Sequence, residues 1–496
     1  MTGTIRELVD RQAALRPHAI FATDGDGRGS ITFAELARSC RQVGALLLSR
    51  GSQPGDTIAF VMPNGLQTVR LLLGAMYGGW CVNPINLLSQ PQQMRYVLGH
   101  SDCSVVVVSG EWEQRVGGML ADMGREVALL VIEPDAAGLP DAEAQTPPPV
   151  PGALALLMYT SGTTGVPKGV MLTQANLVAN ALAISAEHAL GPADSVLAVL
   201  PLYHINAFAV TMLAPLAHGG SLAMPPKFSA ARFWAQASER RCTWINVVPT
   251  MISYLLEGAV PQREQISRIR FCRSASAALP PDHLRAFEQK FDIGIIETMG
   301  LTETAAPAFS NPLDPLQRKL GAVGRASGCE ARVIDANLAA VPDGQTGEIA
   351  IRGPNVMRGY YKNDEATRAT FTSDGWLRTG DLGHRDIDGF FFVTGRIKEL
   401  IIKGGENIAP REIDEVLLRH PAVRDAAAVG VPDRHYGQEI LAFVVLKDGH
   451  AGARDDLLAF CAEHLGRFKT PKDICFIDSL PRGPSGKVQR LKLLEL

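Results

Sequence analysis

An apolar run, Leu154-Ala155-Leu156-Leu157-Met158, breaks into Tyr159-Thr160-Ser161-Gly162-Thr163-Thr164-Gly165-Val166-Pro167-Lys168-Gly169-Val170, and a helix-like pattern follows over 174–190. The run reads as a buried strand, and strand, loop, helix is the repeating step of an α/β sheet. Glycines let the loop turn sharply and bring backbone N–H groups close to an anion, while hydroxyls and a lysine add donors and charge. That composition suits a polyphosphate. It is not the Gly-Lys-Ser/Thr phosphate loop, because Lys168 follows Pro167 and precedes Gly169. On composition alone a flexible surface loop is the lesser alternative.

The same alternation extends on both sides. Upstream, helical patterns over 4–50 flank a turn signal at Asp24-Gly25-Asp26-Gly27. A strand over 56–62, a helix through Leu71-Leu72-Leu73 and a strand over 104–108 follow. A Pro/Ala-rich connector, 133–151, precedes the loop. Downstream come a strand over 195–200, a helix over 207–216, a strand over 221–224, a helix over 230–239, a strand over 244–248 and a strand over 293–297. Around 347–351 and 389–393 the pattern changes to short strands with tight turns, a β-rich subdomain. After 395–398 a compact helix opened by Pro410, two strands and a further helix read as a small α+β domain. The fold expected is α/β, with a large domain of parallel-rich sheets over 1–396 and a small mobile α+β domain over 397–496.

A chain of 496 residues needs more than one core. With 46% hydrophobic and 20% charged residues it is globular, and a net charge of −3 gives no basic face for nucleic acid or an anionic membrane. Eight single cysteines without a Cys-x-x-Cys pair point to neither a zinc site nor a disulfide framework. The N-terminus carries no signal core, and no apolar run reaches membrane-span length. The expected compartment is the cytoplasm.

An ordered series of motifs then resembles the adenylate-forming (AMP-binding) superfamily of acyl-CoA synthetases, carrier-protein adenylation domains and luciferases. Tyr159–Val170 resembles its signature loop, Pro201-Leu202-Tyr203-His204 its aromatic/histidine motif, and Met299-Gly300-Leu301-Thr302-Glu303 its Tyr-Gly-x-Thr-Glu motif. Thr379-Gly380-Asp381, Gly395-Arg396-Ile397-Lys398-Glu399, Gly404-Gly405-Glu406-Asn407-Ile408 and the stretch 481–487 complete it. The resemblance implies ATP, Mg2+ and a carboxylic acid as reactants, with coenzyme A as acceptor. The carboxylate attacks the α-phosphorus, pyrophosphate leaves, and the acyl group passes to the thiol. Such transfer rests on positioning and charge neutralisation.

By the same resemblance, Thr160, Ser161, Gly162, Thr163, Thr164, Gly165 and Lys168 hold the β- and γ-phosphates. Glu297, Thr298, Met299 and Gly300 line the nucleotide, Thr302 lies near the α-phosphate, and Glu303 with Thr160 binds Mg2+. Asp381 takes the ribose, Arg396 reaches the same ribose or the phosphate, and Lys487 bridges carboxylate and α-phosphate as the catalytic cation. Lys398 is the hinge, and Gly404, Gly405 and Glu406 face coenzyme A. Without the series, Glu303 reads as a capping carboxylate, Asp381 as a turn residue and Lys487 as a solvated tail lysine. Two positions depart from the family. Met299 replaces an aromatic residue that stacks on adenine, and Ala207 stands where a glycine often follows the histidine.

The acyl pocket expected from the resemblance is lined by His204, Ala207, Val248, Ser276, Ala277, Met299 and Gly300, with His204 a catalytic gate beside the carboxylate; without the motif His204 reads as a packed core histidine. The pocket lining is mostly small or apolar, with no obvious clamp for a second carboxylate unless Arg273 turns inward. Locally, Arg273-Ser274-Ala275-Ser276-Ala277-Ala278-Leu279 and Ser310-Asn311-Pro312-Leu313 are similar to oxalate-CoA and medium-chain acyl-CoA ligases. The expectation is a small-to-medium aliphatic or aryl monocarboxylate. Two other readings stay open: a free-standing adenylation enzyme that loads a carrier-protein pantetheine or an amine, and a non-catalytic nucleotide binder.

Overall fold

The computed structural model describes residues 3–136, 138–160, 166–450, 453–482 and 488–495. Two large sheets dominate the first four hundred residues. In one, the strands Leu154–Thr160, Cys81–Pro84, Thr57–Val61, Val105–Val108 and Ala128–Val131 run parallel. In the other, Ile20–Asp24, Ser221–Met224, Ser195–Leu197, Trp244–Val247, Phe271–Ser274 and Ile295–Leu301 do so. Antiparallel strands close the edges, among them Lys168–Thr173 on the first sheet and Ala306–Ser310 on the second. A four-stranded antiparallel sheet, Glu330–Ile334, Gly347–Arg352, Leu377–Arg385 and Phe391–Arg396, forms the β-rich subdomain.

The helix Leu66–Gly78 shows why the sheets stack. Twelve of its thirteen residues are buried, and a helix apolar on every side belongs between layers. It ends at Gly79, whose φ of 94° lies in the left-handed region that suits glycine. Its apolar residues join one continuous core with Phe21, Trp80, Leu156, Phe208, Trp244 and Phe271, drawn from both sheets.

Two elements differ from the sequence expectation, both beside the site. The segment expected as a helix over 207–216 is a π-helix, Asn206–Leu213, continued by a short α-helix, Ala214–His218. All eight residues of the π-helix are buried. Hydrophobic periodicity could not separate the two forms, because a fully buried segment has no polar face to mark its pitch. The strand expected over 293–297 instead spans Ile295–Leu301 and carries the Met-Gly-Leu motif within it. Its later residues are held by the antiparallel partner Ala306–Ser310, a long-range pairing that local pattern does not reveal.

The last hundred residues build their own sheet. Val423–Asp433 and Gly437–Leu446 form a long hairpin, flanked by Ile401–Lys403 and Asp473–Phe476. The helices Pro410–Leu418 and Arg454–Lys469 cover it, the second breaking at Gly466. A separate core of Ile401, Ile413, Leu417, Ile440, Val444 and Leu457 holds this unit together.

Candidate active site

The stretch expected to hold phosphate is flanked by two antiparallel strands, Leu154–Thr160 and Lys168–Thr173. Thr160, at the end of one strand, pairs with Lys168 at the start of the next. Ser161, Gly162, Thr163, Thr164 and Gly165 lie outside the described residues, as does Lys487. The Lys168 ammonium sits 5.0 Å from the ring centroid of Tyr360. The Tyr360 hydroxyl donates a 2.8 Å hydrogen bond to Glu303 Oε1. One tyrosine therefore links the cation of the phosphate hairpin to the carboxylate expected at the metal. It is fixed by a two-residue strand, Gly359–Tyr360, that pairs with Lys168–Thr173. Burial, then the Glu303 charge, raise its pKa well above the ordinary phenol value, which keeps it a donor. Tyr360 was not anticipated, since no short motif marks a tyrosine whose partner lies 57 residues upstream.

Thr302 and Glu303 occupy a 3-10 turn, Thr302–Thr304, that follows directly on Ile295–Leu301. Three hydrogen bonds from elsewhere hold this turn. Asn180 Nδ2 donates to Thr304 O at 3.4 Å, Asn355 Nδ2 to the same oxygen at 3.1 Å, and Met357 N to Glu303 O at 2.8 Å. Gly300 is required there, because a Cβ on it would lie 2.3 Å from the carbonyl oxygen of Ala306. Thr298 is buried, Met299 is half-buried, and Met299 packs against the cluster around Phe309 and Phe391. Burial raises the Glu297 carboxyl to about 7, with the Arg411 charge from the C-terminal unit opposing it. Among the described residues, no three His, Cys, Asp or Glu converge on one point. A carboxylate and a hydroxyl, Glu303 and Thr160, offer the hard oxygen donors that Mg2+ takes together with phosphate oxygens and water.

Asp381 and Arg396 face each other across paired strands, and Arg396 Nε donates to Asp381 Oδ1 at 2.8 Å. Gly380, with φ of 72°, turns the chain just before Asp381. Lys398 is exposed in the 3-10 turn Ile397–Glu399, directly after Arg396. Gly404 and Gly405 (φ 58° and 87°) form the tip of a tight hairpin in which Lys403 pairs with Glu406. Two successive positive φ values are what a type I′ turn demands. The two glycines and Glu406 are exposed.

At the far end of the second sheet, Asn64 pins the Pro201–His204 motif: its Nδ2 donates to Leu200 O at 2.9 Å and its Oδ1 accepts from Leu202 N at 3.0 Å. His204 is half-buried and meets the Tyr203 ring edge-on at 4.7 Å. Ala207 is wholly buried on the π-helix, while Val248 and Ser276 are half-buried and Ala277 is exposed. Ser276 holds a left-handed φ of 75°, a cost that persists only where the surroundings impose it. Arg273 does turn inward. It is fully buried, with Nη1 donating to Asn246 Oδ1 at 3.0 Å and Nη2 to Thr298 Oγ1 at 2.8 Å. Asn206 and Asn246 were not anticipated. The signal available was an asparagine inside the apolar run Trp244-Ile245-Asn246-Val247 of a central parallel strand, where near-continuous apolar residues are the rule.

Parallel-rich sheets, a hairpin that brings Lys168 towards Glu303 through Tyr360, and a separate C-terminal unit agree with the class of enzyme that activates acids with ATP. Residues 9–361 match the AMP-binding enzyme family and residues 412–487 match its C-terminal domain, so the chain belongs to that family. It is 57% identical to sulfoacetate–CoA ligase of Cupriavidus necator, covering 99% of this chain and 97% of that one. It is 36% identical to oxalate–CoA ligase of Arabidopsis thaliana, over 94% and 93% of the two chains. The fold superposes on ATP-bound MatB from Rhodopseudomonas palustris with a TM-score of 0.93 at 31% identity, covering 100% of this chain and 99% of that one. The chain is an AMP-forming acid–CoA ligase, whose class uses ATP, Mg2+ and coenzyme A. Among the described residues, no helix is long and apolar enough to cross a membrane.

Proposed function

We propose that this ligase joins a short aliphatic acid to coenzyme A in two half-reactions, with sulfoacetate as the first candidate acid. In the first, a carboxylate oxygen bonds to the α-phosphorus of ATP, the bond to the bridging oxygen breaks, and pyrophosphate leaves. In the second, the thiol of coenzyme A attacks the acyl carbon, AMP departs and the thiol proton is released.

The observation that carries the site assignment is the Lys168–Tyr360–Glu303 contact, which brings a phosphate-type cation and a metal-type carboxylate together. Lys168, Thr160 and residues 161–165 hold the β- and γ-phosphates. Glu303 and Thr160 are the ligands for Mg2+, which when bound neutralises phosphate charge. Thr302 flanks the α-phosphate, and Glu297, Thr298, Met299 and Gly300 form the adenine wall. Asp381 accepts from the ribose hydroxyls once Arg396 shares it with the sugar. Lys487 offsets the repulsion between carboxylate and α-phosphate.

The proposed division is 1–396 and 397–496, supported by the separate C-terminal core. Lys398 is the proposed hinge, and Gly404, Gly405 and Glu406 line the path of coenzyme A after rotation. His204, Ala207, Val248, Ser276, Ala277, Met299 and Gly300 enclose the acid. The proposed compartment is the cytoplasm, in keeping with eight free cysteines. Sulfoacetate is favoured by the 57% identity to sulfoacetate–CoA ligase across nearly the whole chain. It has one carboxylate, as the expected small-to-medium aliphatic or aryl monocarboxylate does, but adds a sulfonate that the reading of the pocket lining did not foresee.

The test is acid-dependent exchange of labelled pyrophosphate into ATP over a panel of short acids, with CoA thioester measured alongside. Sulfoacetate is expected to support both. Exchange without thioester would move the acceptor to a carrier protein or an amine, and no exchange with any acid would overturn the reading.

A further inference from the structure

A buried charge is normally paired with its opposite, because leaving it alone in a low-dielectric interior is costly. Arg273 breaks that pattern. Its guanidinium is fully buried in the second sheet, and both its side-chain acceptors are neutral, Asn246 and Thr298. Its Nε has no hydrogen-bond partner. The Thr298 branch ends at once, since Thr298 Oγ1 donates on to Ser274 O at 3.3 Å. Burial pulls the Arg273 pKa down to about 9, which leaves it charged at neutral pH.

The Asn246 branch continues, and every link points the same way. Arg273 can only donate, so Asn246 must turn its oxygen towards the guanidinium. Its Nδ2 is then left to donate to Asn206 Oδ1, at 3.4 Å, and Asn206 Nδ2 donates in turn to Ser276 Oγ, at 3.3 Å. With a lone pair of Ser276 Oγ engaged by Asn206, its hydroxyl proton is directed onward. The chain thus runs from a buried cation through two buried amides to a half-buried hydroxyl in the proposed acyl pocket. Donor chains aligned in one sense polarise one another, so the last hydroxyl carries more positive potential than an isolated serine.

We propose that the Arg273–Asn246–Asn206–Ser276 relay is a subsite for a second, non-reacting anionic group on the substrate, a sulfonate or carboxylate one carbon from the carboxylate that is activated. The inference rests on the reading of the chain as a ligase of short acids. It identifies Ser276 as the contacting residue and Arg273, Asn246 and Asn206 as positioning residues that supply field and orientation. A pocket whose described lining is mostly small or apolar and which carries this polarised donor selects by charge at the far end of the acid. An acid of the same shape without that charge leaves the donor chain unanswered, the situation in which polar sites discriminate most strongly.

The experiment compares sulfoacetate with methylsulfonylacetate, which replaces the sulfonate by a neutral sulfone of similar size, in the CoA-thioester assay. The readout is the ratio of kcat/KM for the two acids. The wild-type enzyme is expected to favour sulfoacetate. Both Arg273→Met and the milder Ser276→Ala are expected to reduce that ratio by about tenfold or more, whatever they do to absolute rates. Circular dichroism and melting temperature identify any variant that fails to fold, and Ser276→Ala, which leaves the buried charge in place, decides the matter if Arg273→Met does. An unchanged ratio, with both acids losing equally, would overturn the relay while leaving the ligase reading intact. A wild-type enzyme that turns over propionate but prefers no acid with a second anion would overturn the relay and the choice of acid together. A wild-type enzyme that makes no thioester from any acid would overturn the ligase reading itself, and the relay with it.

Discussion

Two single residues carry sharp consequences. Tyr360 binds Glu303 through one hydrogen bond to a charged oxygen, and bonds of that kind contribute roughly 1.5–3 kcal/mol. Tyr360→Phe keeps the ring under Lys168 and removes only the hydroxyl. It is expected to raise the Mg2+ concentration for half-maximal activity by about tenfold, leaving KM for the acid nearly unchanged. A Mg2+ titration of the variant matching the wild type would show that the hydroxyl does not position the carboxylate. Glu297 acts through pH. Its carboxyl is raised to about 7 from an ordinary 4.5 by burial. The folded state therefore holds the proton more tightly than the unfolded state, so stability falls as pH rises from about 4.5 to about 7 and then levels off. Glu297→Gln removes that titration. Melting temperatures of the ligand-free enzyme should converge with the wild type near pH 4.5 and exceed it at pH 8, by stability on the order of 2 kcal/mol. Parallel melting curves across that range would contradict the assignment.

At the level of elements, function sits where regular structure is interrupted. The π-helix Asn206–Leu213 widens one turn beside the proposed acyl pocket and brings Asn206 against Ser276, a device frequent at functional sites. The bulge between Met299 and Gly300 lets the motif strand approach its antiparallel partner, and the 2.3 Å approach of Ala306 O leaves no space for a side chain. Gly300→Ala should destabilise the protein by about 1–3 kcal/mol, read as a shift in denaturant midpoint. The Gly404-Gly405 turn is different, because nothing lies within 4 Å of a Cβ added to Gly405 and only its positive φ of 87° resists one. Gly405→Ala should fold with a loss of about 1 kcal/mol, and should slow thioester formation more than pyrophosphate exchange if this turn meets coenzyme A. Equal effects on both half-reactions would remove the turn from the thiol path.

For the whole molecule, the question is how the C-terminal unit meets the large one. The C-terminal unit touches the large one through the helix Pro410–Leu418, where Arg411 Nη1 donates to Val393 O at 2.6 Å, and Arg411 also faces the Glu297 carboxyl. Few residues join the strand Phe391–Arg396 to this unit, and Lys398 lies among them, exposed. Rotation about that point requires its backbone to change, and proline fixes φ near −65°. Lys398→Pro should therefore leave pyrophosphate exchange largely intact and slow thioester formation. Equal loss in both would argue against a hinge at this residue.

The sequence by itself determined the class of the fold and the order of the chemistry. Alternating apolar runs and helical patterns were legible because each depends on neighbours a few residues apart, and the ordered motifs between Tyr159 and Lys487 made the family legible. The tertiary structure decided what depends on distant partners. It made Tyr360 the link between Lys168 and Glu303, carried Ile295–Leu301 through its motif against Ala306–Ser310, and turned the segment after His204 into a π-helix. It also left Arg273 buried with only neutral partners, a matter of which side chains from four separate elements meet in the interior. A residue's type states what bonds it can make, but burial and the partners brought by the fold decide which of them it must make.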